Sequence, residues 1–221
     1  MTREEYIKSL AFWTLALQYL GLVENAARET VGQRNVWVLV KDYKEGEPTV
    51  DDYLEETRWS DHRLIMPLLF NLYHGFELLV KGFLLARKPE VVEAHHGIQG
   101  WVEQFAQLFP MENDLCECFL KYTQPHRLPQ LITQFLSDNQ LQFGQLYEAL
   151  RYPTDRKFGN IKRYIQLKYK GPEGLPFFQE LLTDLNRLRI AAVRLGRSIE
   201  GELGQQTDPG DSQPAGRVEN A

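Results

Sequence analysis

All-α is the fold class this sequence predicts, and two observations carry the expectation. Apolar residues recur every three or four positions along three long segments, at about 3–30, 60–88 and 176–203. The shorter segments between them are punctuated by Pro and Gly rather than by alternating strand patterns. The chain has 221 residues, 43% of them hydrophobic, which is enough for one substantial core. One helical domain over 1–203 is expected, followed by an apolar-poor, disordered tail over 204–221, GQQTDPGDSQPAGRVENA.

The first helix is read from Leu10, Trp13, Leu17, Leu20 and Val23, one apolar stripe, with Gly32 at its end. Residues 35–40, NVWVLV, fit either a strand or the start of a helix. The acidic stretch KDYKEGEPTVDDYLEE, 41–56, reads as a solvated loop with a short helix after Thr49. Ser60 or Asp61 caps the next helix, which carries Pro67 and runs to about Lys88. His95-His96-Gly97 opens a helix with Ile98, Val102, Phe105 and Leu108 on one side. Segments 112–122, 129–137 and 140–150 read as short helices, and 151–176 as an irregular insertion. The last helix carries Phe178, Leu181, Leu182, Leu185, Leu188, Ala192 and Leu195 on its core face.

Composition narrows the function. A net charge of -5 does not indicate a globally basic nucleic-acid binder, but it leaves room for a local basic patch. The two cysteines, Cys116 and Cys118, point to opposite faces of one helix and make a poor disulfide, as expected in a reducing, cytoplasmic compartment. No signal-peptide pattern and no uninterrupted apolar run of membrane-spanning length is seen, so no membrane role is expected. A metal is not expected either. Adjacent His95 and His96 diverge, and Cys-x-Cys is not the spacing of common zinc knuckles. No cofactor motif occurs.

Two features carry chemistry. The first is FNLYHGFELLVKGFLL, residues 70–85, an almost wholly apolar helix through which Asn71, His74, Glu77 and Lys81 run as one polar stripe. Buried alone, such groups would cost several kcal/mol, so they pair with one another or line a cleft. The second is RYPTDRKFGNIKRYIQLKYK, 151–170. It holds Arg151, Arg156, Lys157, Lys162, Arg163, Lys168 and Lys170 against one acid, Asp155, with Tyr152, Phe158, Tyr164 and Tyr169 interleaved. Cations with aromatics suit single-stranded nucleic acid; a solvated loop anchored by its rings is the competing reading. Arg151 stands out because its helix ends at a turn fixed by Pro153. It would line a cleft with Glu77 and Lys81, cap its helix or pair with Glu77.

HGFELLVKGFL, then HHGIQGWVEQF, then LRYPTD resemble in order the motifs of the HEPN superfamily: E-L-x-x-K on one helix, and a His near the start of the next, here His96-Gly97-Ile98. The resemblance spans roughly residues 60–165. It implies an up-and-down helical bundle, a homodimer, and a role in prokaryotic defence or toxin–antitoxin systems, acting on or binding RNA, with an antitoxin or other partner protein. Many such proteins are metal-independent RNases with an Arg, four to six residues and a His at the dimer cleft. There a His moves protons at the 2′-hydroxyl or the leaving oxygen and an Arg steadies the phosphate. This sequence departs from that signature: Arg58 and His62 are separated by three residues, Arg87 and His95 by seven. The expected roles are therefore His74, His96 and Arg151 for catalysis, if any, and Glu77, Lys81, Tyr152, Arg156, Lys157 and Arg163 for binding. Absence of the signature favours binding over cleavage.

Overall fold

The computed structural model describes residues 2–38, 49–90, 92, 97–155 and 158–206, with 204–206 as backbone only. The all-α expectation holds. Eight α-helices are bounded among the described residues, which contain no strand, only an isolated bridge between Thr154 and Ile161. They are α1 (Arg3–Gly32), α2 (Val50–Glu56), α3 (Asp61–Arg87), α4 (Ile98–Leu108), α5 (Asn113–Thr123), α6 (Gln130–Asp138), α7 (Leu146–Arg151) and α8 (Leu175–Gln206). Short 3-10 turns at Phe143–Gln145 and Gly171–Gly174 lead into α7 and α8.

Local chemistry sets several of these boundaries. Thr2 and Glu5 form a reciprocal capping box at the start of α1, and Thr49 with Asp52 repeats it at α2. Ser60 is the N-cap residue of α3, but its hydroxyl donates to the Thr57 carbonyl and accepts from no backbone N–H of the helix's first turn. Pro67 lies inside α3, and α8 extends to Gln206, three residues beyond the expected domain boundary. The rest of the expected tail, 207–221, lies outside the described residues, as do 39 and 40 of the NVWVLV run.

α3 is the central element. Leu68, Leu72, Phe76, Leu79, Val80 and Phe83 are buried along it. α1 crosses it antiparallel, with Leu20 against Gly75 and Trp13 against Gly82. A Cβ on Gly82 would lie 2.5 Å from the Trp13 ring, so glycine there is what lets the two helices approach so closely. The buried stripe of α1 is Ser9, Trp13, Ala16, Leu20, Val23, Ala27 and Thr30. The expected stripe was therefore rotated: Leu10 stays 43% exposed and Leu17 half-buried, because both lie on the groove between α1 and α8 rather than over α3.

α8 is also antiparallel to α1, as Glu24 with Arg189 and Trp13 with Gly196 show. Its expected core face is present, with Phe178, Leu181, Leu185, Leu188, Ala192 and Leu195 buried. α5 joins α8 through Lys121, Tyr122 and Asp184 and through Arg187–Asp114 and Arg194–Glu112, both 2.8 Å. By length and composition α3 could cross a membrane, yet 61% of its most apolar window is buried inside the protein.

Candidate functional site

The polar stripe of α3 divides into two contacts. Lys81 donates to the Glu77 carboxylate at 2.7 Å, with their side chains 21% and 26% exposed. The same ammonium sits 4.0 Å over the Trp101 ring of α4. One turn earlier, His74 lies edge-on to Tyr19 of α1 and stacked on Phe70. Its Nδ1 is 3.2 Å from the Tyr147 hydroxyl of α7. The pairing expected of Glu77 is thus made with Lys81, and no Glu77–Arg151 ion pair is seen among the described residues.

Tyr147 connects the stripe to Arg151. Its hydroxyl meets His74, while the Arg151 guanidinium lies 5.8 Å from its ring centroid. The two are one turn apart on α7, an i,i+4 pair that shares a face. Burial, reinforced by the Glu77 carboxylate, raises the Tyr147 pKa above the usual tyrosine value, with Arg151 opposing. The phenol therefore stays protonated and able to donate at neutral pH. Arg151 is exposed, also covers the Tyr152 ring and donates to the Tyr152 hydroxyl at 3.2 Å.

A cavity of about 770 Å³ opens beside the stripe between α3, α4 and α7. Tyr73, Glu77, Trp101, Glu103, Phe143 and Tyr147 line it. Beneath this lining the Tyr73 hydroxyl and the Trp101 indole N–H are fully buried, and neither has a hydrogen-bond partner among the described residues. An adjoining groove of about 600 Å³ shares Gly144 and Tyr147 and runs past Arg151, Tyr152, Asp155 and Phe158.

The basic insertion separates into anchors and free groups. Tyr164 donates to the Ala149 and Tyr152 carbonyls and stacks on Phe135; Tyr169 stacks on His62. Lys162 is bound to the carbonyls of Tyr152 and Thr154. Asn139 grips the Arg163 backbone from both sides, leaving the exposed Arg163 side chain beyond it. Tyr152 and Phe158 are 50% and 84% exposed and line the groove that holds Arg151.

Comparison with family models, curated proteins and solved structures finds no match.

The structure therefore brings together His74, Glu77, Lys81, Arg151 and Tyr152, through Tyr147 and Trp101. It places Arg163 on the far side of Asn139, and His96, Arg156 and Lys157 lie outside the described residues. Sequence reasoning missed Tyr73, Trp101, Phe143 and Tyr147. Only Tyr147 carried a usable signal, its i,i+4 relation to Arg151. Among the described residues no group of three His, Cys, Asp or Glu could hold a metal. Cys118 is buried and Cys116 half-buried, both as free thiols, and burial raises both thiol pKa values.

Proposed function

We propose that this chain is a HEPN-like helical protein that binds single-stranded RNA without cleaving it, in a cytoplasmic prokaryotic defence or toxin–antitoxin setting. One observation carries the reading: a guanidinium, Arg151, stacked on an exposed tyrosine, Tyr152, in a surface groove that ends at the exposed Phe158. A cation for the phosphate and rings for successive bases are what sequence-tolerant single-strand binding needs. The absent Arg–His spacing supports binding over catalysis. Homodimerisation, which the resemblance implies, is best served by α1 and α8, where Leu10, Ile190 and Val193 remain exposed.

The test is RNA binding by fluorescence anisotropy at two salt concentrations. Wild type binds with an affinity that falls as salt rises. Arg151→Ala and Tyr152→Ala each weaken it roughly tenfold, since stacking alone is worth about 1–3 kcal/mol per base. Failure of wild type to bind overturns the proposal.

A second reading, a metal-independent endoribonuclease, is favoured by His74 meeting the Tyr147 hydroxyl while Arg151 lies over its ring. Cleavage in EDTA that His74→Ala and Arg151→Ala both abolish would replace the first reading by this one.

A further inference from the structure

The cavity between α3, α4 and α7 differs in kind from the groove it adjoins. Among the described residues no Lys or Arg lines it; Glu103 and Glu77, the latter paired with Lys81 at its edge, do. A phosphate is disfavoured there and a ligand that donates hydrogen bonds is favoured. Its aromatic wall, Tyr73, Trp101, Phe143 and Tyr147, suits a flat ring. Its volume of about 770 Å³ lies within the range of small-molecule sites and leaves room for a sugar beside the ring.

Glu77 decides which ring. Its Oε1 accepts from Lys81 at 2.7 Å, and no partner of Oε2 is seen among the described residues. An ionised carboxylate only accepts, through two oxygens side by side. Among the bases, guanine alone presents two adjacent N–H donors on its pairing edge, at N1 and the N2 amino group, with an acceptor at O6 beside them.

We infer that this cavity is a binding site for a guanine base, held at its donor edge by Glu77 and between the rings of Trp101, Phe143 and Tyr147. The inference rests on the RNA-binding reading for the source of the base, because the shared wall at Gly144 and Tyr147 leads from the cavity toward Arg151, where the phosphate would lie. Free guanosine offers the same edge.

The experiment compares labelled single-stranded RNA made of uridines with the same RNA carrying one guanine, and titrates unlabelled guanosine and adenosine by calorimetry. Two variants accompany wild type. Glu77→Gln removes the carboxylate. Gly144→Leu fills the cavity mouth from an exposed position whose added Cβ meets nothing within 4 Å, so the site is tested even if the first variant folds poorly. The guanine RNA should bind wild type at least about tenfold more tightly than the uridine RNA, the scale of a hydrogen bond to a charged group. Both variants should lose that preference. Equal binding of the two RNAs, with no heat from guanosine, overturns the guanine site and leaves the RNA-binding reading standing. Guanosine bound in preference to adenosine, with neither RNA bound, supports the site and overturns the RNA reading. Silence from every probe overturns both.

Discussion

Two polar clusters lie along α3, one at its first residue and one at its middle, and they are built to opposite specifications. Asp61 is 1% exposed, and its carboxylate accepts from the backbone N–H groups of Tyr169 and Lys170 and from Asn35 Nδ2, all within 2.9 Å. Asn35 in turn accepts from the Asp61 N–H and donates to the Gly171 carbonyl. Asn35 holds a positive φ of 53°, a conformation asparagine tolerates better than most residues. Its donors and acceptors are matched. At mid-helix, Glu77 and Lys81 stay about a quarter exposed, Glu77 lines the cavity, and His74 has one polar contact among the described residues. A closed network holds elements together; an open one beside a void is where a ligand can complete the bonding. The first cluster ties α1, α3 and the basic insertion into one frame, and the second uses that frame.

The largest effect expected from this contrast is at Asp61. Asp61→Ala takes the acceptor from three hydrogen bonds, one buried and two part-buried, and should destabilise the fold by about 3–5 kcal/mol in urea denaturation. Glu77→Gln, in the open cluster, should change stability by less than about 1 kcal/mol. Comparable losses at the two positions would break the comparison.

Where α1 crosses α3, Gly82→Ala forces a Cβ against Trp13 and should cost about 1–3 kcal/mol by thermal unfolding, with RNA affinity unchanged. Smaller still is Tyr147→Phe. Losing the half-buried bond to His74 should cost about 0.5–1 kcal/mol while sharpening or abolishing nothing at Asp61.

The smallest effect is a pH dependence near the closed cluster. Burial, aided by the Arg63 and Lys168 charges and opposed by Asp61, lowers the His62 pKa below 6.5. The folded state then holds fewer protons than the unfolded one just below that pH. Stability is full above 6.5 and declines as pH falls. A His62→Gln variant should show a flatter melting-temperature profile between neutral pH and pH 5. An unchanged slope would remove His62 from the account.

Much of the fold was legible because local rules wrote it. Thr2 and Thr49 carry their capping partners three residues on, and the core face of α8 follows the spacing of its leucines. The α1 stripe was misplaced because Leu10 and Ser9 are neighbours, and hydropathy alone selects the leucine. The structure buries Ser9, whose hydroxyl is satisfied by the Glu5 carbonyl. The candidate site was half legible. The stripe at 74, 77 and 81 followed from helix periodicity. Its cavity did not, because Trp101, Phe143 and Tyr147 come from segments with no shared sequence pattern.

The sequence by itself determined the helical class, most helix boundaries and the polar face of α3, since each depends on residues within a few positions of one another. The tertiary structure alone decided that Asp61 closes on Asn35 and on a loop more than a hundred residues away, and that Glu77 faces a void. Whether a buried polar group is matched or left open depends on what distant segments bring to it, and no local spacing encodes that.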